Sequence, residues 1–210
     1  MNIGILGAGN VGGSLGKGLA EVGHNVLFGV RDAEAGKVRA LLAKIEGEAS
    51  AASVEEAARF GEVVIITIPF QAAEKVLPGL AEALRGKTII DTTNAINWDN
   101  GPVPALETSA AGRFAALLPG SHIVKAFNTI GAEHMSQPDF RGEAAGMFIC
   151  GENAEAKESV RHLTTGLGFE VYDAGPLRNA RLLEHLAALW IHMATVGGLG
   201  RDIAFKLLHK

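Results

Sequence analysis

Along this chain, short apolar runs alternate with stretches in which apolar residues recur every three or four positions. The runs Ile3 to Leu6, Val26 to Phe28, Val63 to Ile68, Thr88 to Asp91, Ile123 to Phe127, Met147 to Cys150 and Glu170 to Tyr172 predict strands. Helical spacing predicts helices near 12–22, 34–45, 54–60, 71–84, 105–117, 154–167 and 180–208. Strand followed by helix, repeated, implies crossover connections and a mostly parallel sheet covered on both faces. The one loop-rich stretch is NAINWDNGPVP, 94 to 104, and no repeat, low-complexity tract or long linker breaks the pattern.

The 210 residues are 48% hydrophobic, enough for one α/β domain with a sizeable core and a small appendage. The expected division is residues 1–175 as a dinucleotide-binding domain and 176–210 as a short C-terminal helical extension.

Charge and cysteine usage narrow the function classes. A net charge of -4 with no lysine/arginine block argues against nucleic acid, whose binding rests on clustered phosphate neutralisation. The single cysteine, Cys150, excludes an intramolecular disulfide and reads as core filler. No basic leader precedes the first apolar run, so a cytoplasmic location is expected. LLEHLAALWIHMATVGGLG carries Glu184, His185 and His192 and breaks into glycines before reaching the roughly 20 apolar residues of a membrane span. It reads as a buried or interface helix.

Gly7-Ala8-Gly9-Asn10-Val11-Gly12 fits G-x-G-x-x-G. With 27 glycines in the chain the motif counts only through its context: a strand before it, a helix after it, and a second strand within about 30 residues. That context predicts a Rossmann-type, doubly wound fold. Gly7 would allow the tight turn, Gly9 the approach of a pyrophosphate, and Gly12 the close packing of helix on strand. The second strand ends at Gly29-Val30-Arg31-Asp32, where the adenosine ribose would be read. Arg31 comes first, and its planar fork suits a 2′-phosphate, which favours NADP. Asp32 would then point elsewhere or cap the next helix; the alternative is that Asp32 holds the ribose and Arg31 is solvated. Lys37 could add charge to the same pocket.

Ligands of open α/β sheets lie beyond the carboxyl ends of the strands. Here those ends read TIPFQ, DTTNAIN and KAFNTIGA. Ile68 and Pro69 would form a stiff wall, Asn94 and Asn128 would offer amide donors and acceptors, and Thr129 and Ile130 would floor a nicotinamide ring. No residue is nominated as catalytic or as a metal ligand. His134 reads as a surface histidine, and His185 and His192 as packing or interface residues of the last helix.

GILGAGNVG, GVRD, TIPFQAA, VKAFNTIGAEHM and DAGPLRNARLLEHLAALWI with GLGRDIAFKLL together resemble the NADP-dependent coenzyme F-420 oxidoreductase family, over essentially the whole chain. The soluble reductase domains of the STEAP metalloreductases are also similar. The resemblance implies hydride transfer between NADP and a deazaflavin, with Ala8 to Val11 on the pyrophosphate, Val30 and Arg31 on the 2′-phosphate, and Ile130 and Ala132 beside the nicotinamide. Val30 departs from the serine or threonine frequent in the family, which removes a hydroxyl contact. Positioning would supply most of the catalysis, since the cofactors bring the reactivity. The resemblance also implies a homodimer through the stripe Leu182, Leu183, Leu186, Leu189, Trp190 and Met193, with Trp190 as central anchor; the alternative is that this stripe closes the chain's own core. Other readings are a flavin or ferric reductase on the same fold, a hydroxyacid or pyrroline-carboxylate type dehydrogenase, and a non-catalytic NADP sensor. The hydroxyacid type would want a general base and a larger C-terminal domain.

Overall fold

β1 (Asn2–Leu6), α1 (Asn10–Glu21) and β2 (Asn25–Gly29) open the fold in a computed structural model that describes residues 1–99, 101–208 and 210. The chain continues through α2 (Gly36–Leu42), β3 (Ala49–Ala52), α3 (Val54–Phe60), β4 (Val63–Ile66), α4 (Phe70–Leu84) and β5 (Thr88–Asp91). A small hairpin of β6 (Ile96–Trp98) and β7 (Pro102–Pro104) precedes α5 (Ala110–Leu117) and β8 (His122–Lys125). A second short hairpin, β9 (Asp139–Phe140) with β10 (Glu143–Ala144), leads to β11 (Gly146–Gly151), α6 (Ala154–Gly166), β12 (Glu170–Asp173) and α7 (Ala180–Ala194).

Eight of these strands form one sheet in the order β12-β11-β8-β5-β4-β1-β2-β3. From β3 to β8 every neighbouring pair is parallel. β11 then runs antiparallel to β8, and β12 parallel to β11. The expected Rossmann-type doubly wound fold is therefore present: the order reverses between β1 and β4, which opens a crevice at their carboxyl ends. Pleating sends Val63 and Ile65 into one core layer with Leu15, Leu19, Val160 and Leu163. Val64 and Ile66 enter the other, with Leu77, Leu84, Phe114 and Leu183.

Several boundaries differ from the sequence reading. β3 was not expected, because ASAA offers no bulky apolar signal; it adds an edge strand through backbone pairing to β2. The stretch 94–104 contains a hairpin rather than only a loop. α5 starts at Ala110, where the Ser109 side chain accepts from Gly112 N at 3.0 Å. The largest correction concerns the last helix, which ends at Ala194 instead of running to 208. Beyond it the chain folds back as a strap: Trp190 Nε1 donates to the Ile203 carbonyl at 2.8 Å, and Gly146 N to the Phe205 carbonyl at 2.8 Å. Among the described residues no helix is long and apolar enough to cross a membrane.

Candidate functional site

The register places Gly29, Leu6, Ile66, Asp91 and Lys125 in one row across five parallel strands. Every nominated residue lies just past that row, except Lys37 and the later positions of the glycine turn, which continue into helices. The nominated segments thus share the carboxyl edge of the sheet.

At β1 the backbone turns sharply. Gly7 has φ +118°, a left-handed conformation that favours glycine, and its N–H donates to the Gly29 carbonyl at 3.0 Å. The Thr67 hydroxyl, from the end of β4, donates to the Leu6 carbonyl at 2.9 Å and to that of Gly7 at 3.2 Å. A Cβ added at Gly12 would lie 2.2 Å from the Gly7 oxygen, so the start of α1 sits against the turn as closely as backbone allows. At Gly9 an added Cβ would meet nothing within 4 Å. Gly9 and Asn10 are exposed, while Ala8 and Val11 pack partly on the core. The first turn of α1 holds no acidic residue and no side-chain cap, so its N–H groups and the positive end of its dipole face outward. This open cradle fits a pyrophosphate.

Beside it, Val30 packs on the core and donates its N–H to the Ala52 carbonyl at 2.9 Å. Arg31 is exposed, with no hydrogen bond or ion pair to a described residue. Asp32 Oδ1 accepts from Glu34 N at 3.0 Å, a local turn; it does not cap α2, whose N-cap is Ala35. Lys37 is exposed in the first turn of α2, and Arg39, also exposed, pairs with Glu34 at 3.7 Å. Among the described residues the cations Arg31, just past β2, and Lys37, in the first turn of α2, therefore stand unpaired.

On the other side of the crevice, Ile68 packs partly on the core and Pro69 caps α4. The two asparagines bond each other: Asn94 Nδ2 donates to the Asn128 carbonyl at 2.8 Å, and Asn128 Nδ2 to Asn94 Oδ1 at 3.0 Å. Asn128 Nδ2 also donates to the Leu183 carbonyl on α7 at 3.0 Å. Among the described residues, Asn128 Oδ1 and Thr129 Oγ1 are buried without a partner, and each such atom costs about 1–3 kcal/mol unless a ligand or water satisfies it. Ile130 and Ala132 are buried next to them. Just before the pair, Phe127 has φ 61°, a strained position for a bulky residue, held by its N–H to Met147 Sδ at 3.0 Å and its ring against Phe169.

Sequence reasoning missed the charged cluster behind this edge. Lys125 is fully buried; its ammonium bonds Asp91 Oδ2 at 2.8 Å, Glu184 Oε1 at 2.9 Å and the Thr93 carbonyl. Burial drives Lys125 toward neutrality, but Asp91 and Glu184 more than reverse this, so its pKa lies above the ordinary lysine value. Burial raises the Glu184 carboxyl, against the opposing pull of Lys125. Burial likewise pushes the neighbouring Cys150 thiol up to about 12, in keeping with its place in the core. The available signal was a lone charge inside each apolar run, IVKAF and LLEHLAAL.

The strap closes over the segment that carries Ile130 and Ala132. Arg201 pairs with Glu133 and lies 5.4 Å from the Trp190 ring centre. His134 pairs with Asp202 at 2.9 Å and lies tilted against Phe140, ring centres 4.8 Å apart. The Arg201 hydrogen bond holds Glu133 down at about 2. Trp190, expected as an anchor exposed to a second copy, is instead buried under its own chain's strap. Leu182, Leu189 and Val196 face outward at 65%, 49% and 55% exposure.

Comparison with known proteins agrees with this geometry. The family described as NADP oxidoreductase, coenzyme F420-dependent, matches residues 2–95. An F420-dependent NADP reductase of Methanothermobacter marburgensis is 32% identical over 208 residues, covering 92% of each chain. Rat metalloreductase STEAP3 is 31% identical over 182 residues, 87% of this chain but 35% of that protein. The crystal structure of a candidate F420-dependent NADP reductase from Arthrobacter sp. FB24 superposes with a TM-score of 0.90 at 28% identity and covers both chains fully.

Proposed function

The chain belongs to the F420-dependent NADP reductase family and is an NADP-dependent oxidoreductase, and from that premise we propose that it transfers hydride between NADP(H) and a deazaflavin of the coenzyme F420 type. The observation that carries the reading is the single edge on which an open glycine cradle, the exposed Arg31 and an asparagine pair with an unsatisfied acceptor lie, with Lys37 following in the first turn of α2.

In this reading Gly7 to Gly12 hold the pyrophosphate through the free N–H groups of α1. Arg31, with Lys37, meets the 2′-phosphate; Val30 contributes only its backbone and packing. Ile68 and Pro69 wall the nicotinamide, and Asn94, Asn128, Thr129, Ile130 and Ala132 orient it. The bound cofactors supply the hydride donor and acceptor carbons. No side chain is assigned to acid or base work: the protein aligns two rings and excludes water, which is where most of the barrier lowering arises.

An anaerobic assay of NADPH oxidation, run separately with F420, flavin mononucleotide and a ferric chelate, tests this. Turnover with F420 at low concentration is expected. Turnover with ferric chelate alone would favour the metalloreductase reading that the similarity to STEAP3 supports, and NADPH binding without any turnover would mark a sensor.

We also assign the outward row Leu182, Leu186, Leu189, Met193 and Val196 to contact with a second copy of the chain, since exposed apolar stripes of this kind mark interaction surfaces. Sedimentation at micromolar concentration should give a dimer, and Leu186→Glu a folded monomer. A monomeric wild type would end the assignment.

A further inference from the structure

Asp91 and Lys125 are register partners at the ends of β5 and β8, and Asn94 and Asn128 follow each by three residues. The ion cluster and the asparagine pair are therefore successive tiers at and just past the ends of the same two strands. The tiers are joined on both sides. On the β5 side, Thr93 donates its N–H and its hydroxyl to Asp91 Oδ1, each at 2.8 Å, while its carbonyl accepts from Lys125. Residues 91–93 curl around the ammonium, and Asn94 is the next residue in the chain. On the α7 side, Leu183 holds Asn128 through its carbonyl, and the next residue, Glu184, bonds Lys125. Glu184 Oε1 also accepts from Ala110 N at 2.8 Å, so the same carboxylate ties α7 to the start of α5.

The asparagine orientation has one consequence. Both Nδ2 bonds of Asn128 are directed, to Asn94 Oδ1 and to the Leu183 carbonyl, so rotating the amide would lose two bonds. Asn128 Oδ1 is left as an acceptor seeking an N–H, and the neighbouring Thr129 hydroxyl as a donor seeking an oxygen. A primary carboxamide supplies both.

We propose that Lys125, with Asp91 and Glu184, is a positioning group that sets the Asn94–Asn128 pair so that Asn128 Oδ1 and Thr129 Oγ1 receive the carboxamide of the nicotinamide. This rests on the dinucleotide reading above. Buried ion clusters are seldom more stabilising than apolar residues of the same volume, and in some proteins their role is to specify one arrangement. The cluster's effect is therefore on where the nicotinamide half sits, and the grip on the adenosine half is independent of it.

The test compares NADPH with 2′-phospho-ADP-ribose, which lacks the nicotinamide, by calorimetric titration of wild type, Glu184→Gln, Asn128→Ala and the double variant. The affinity for 2′-phospho-ADP-ribose should stay within about twofold in all four proteins, as expected for a distant site. The preference for NADPH should fall about tenfold in either single variant and no further in the double, because one acts through the other. Equal loss for both ligands, or losses that add in the double variant, would overturn the proposal. If Glu184→Gln does not fold, Thr93→Val replaces it in the cycle: it removes one hydroxyl bond to Asp91 and leaves no charge unpaired, and a fall of about threefold is expected. A wild type that binds neither ligand would sink the dinucleotide reading together with this inference; one that binds both equally well would sink only the inference.

Discussion

The glycine turn and the asparagine tier lie on one sheet edge but are built in opposite ways. The turn is local backbone geometry: Gly7 and Gly12 are in contact within a single turn and one helix start, and Thr67 braces them. The tier depends on side chains separated by 34 and 59 residues, brought together only when β5, β8 and α7 are all in place. A site built from local backbone can be read from a short motif and can lose its ligand without losing the fold. A site built from distant buried charges cannot be separated so cleanly from stability.

Substitution at the two regions should expose this difference. Lys125→Met removes the cation from between two buried carboxylates, and leaving such groups unpaired costs about 3–5 kcal/mol. Denaturant unfolding should show an unfolding free energy lowered by that amount; a loss of less than about 1 kcal/mol would mean that water already reaches the cluster. Gly9→Val should do the reverse. Its side chain enters open space, so circular dichroism and melting should be unchanged. Dinucleotide affinity should fall at least about a hundredfold, because the pyrophosphate needs that space. Retained binding would reduce the motif to a turn.

Arg31→Ala should weaken NADPH by about 1.5–3 kcal/mol, tenfold or more, while NADH changes little. Equal loss for both would return the ribose to Asp32.

These contrasts follow what the sequence made legible. The parallel sheet and the glycine turn are readable, and Arg31 is a nomination the sequence allows, because each rests on neighbours in the chain. Asn94 and Asn128 were nominated by their place at strand ends, but their pairing depends on a strand register that no local pattern encodes. Asp91, Lys125 and Glu184 were invisible for the same reason: each is a single charge whose partners lie in other elements. β3 was missed because ASAA pairs by backbone alone. The last helix was extended too far because apolar residues continue to Leu208, although Gly197, Gly198 and Gly200 break the helix and turn the chain into a strap.

The strap gives a gentler contrast with the tier. Arg201 depresses Glu133 from about 4.5 to about 2, so this clasp contributes fully above the unfolded carboxyl range and is lost as the pH falls through the folded value. The Gly146 amide, which donates to the strap at Phe205, should lose hydrogen-exchange protection as the pH falls from about 4.5 to about 2. Arg201→Ala should show the lower protection already at neutral pH. Protection that does not vary with pH in the wild type would mean that the clasp does not hold the strap.

The smallest effect concerns the core beside the tier. Cys150, buried and pushed up to about 12, should resist thiol reagents at pH 8 until the protein is unfolded. Labelling of the native protein would show the charged layer to be open to solvent.

The most direct measurement is a single anaerobic turnover with NADPH deuterated at the transferring position and oxidised F420 as acceptor, followed by mass spectrometry of the reduced deazaflavin. Two rings aligned on one sheet edge, with no intervening acid or base, should pass the deuterium intact to the acceptor ring. Reduction of the acceptor with the label lost to water, or no reduction while NADPH remains bound, would contradict direct hydride transfer at this site.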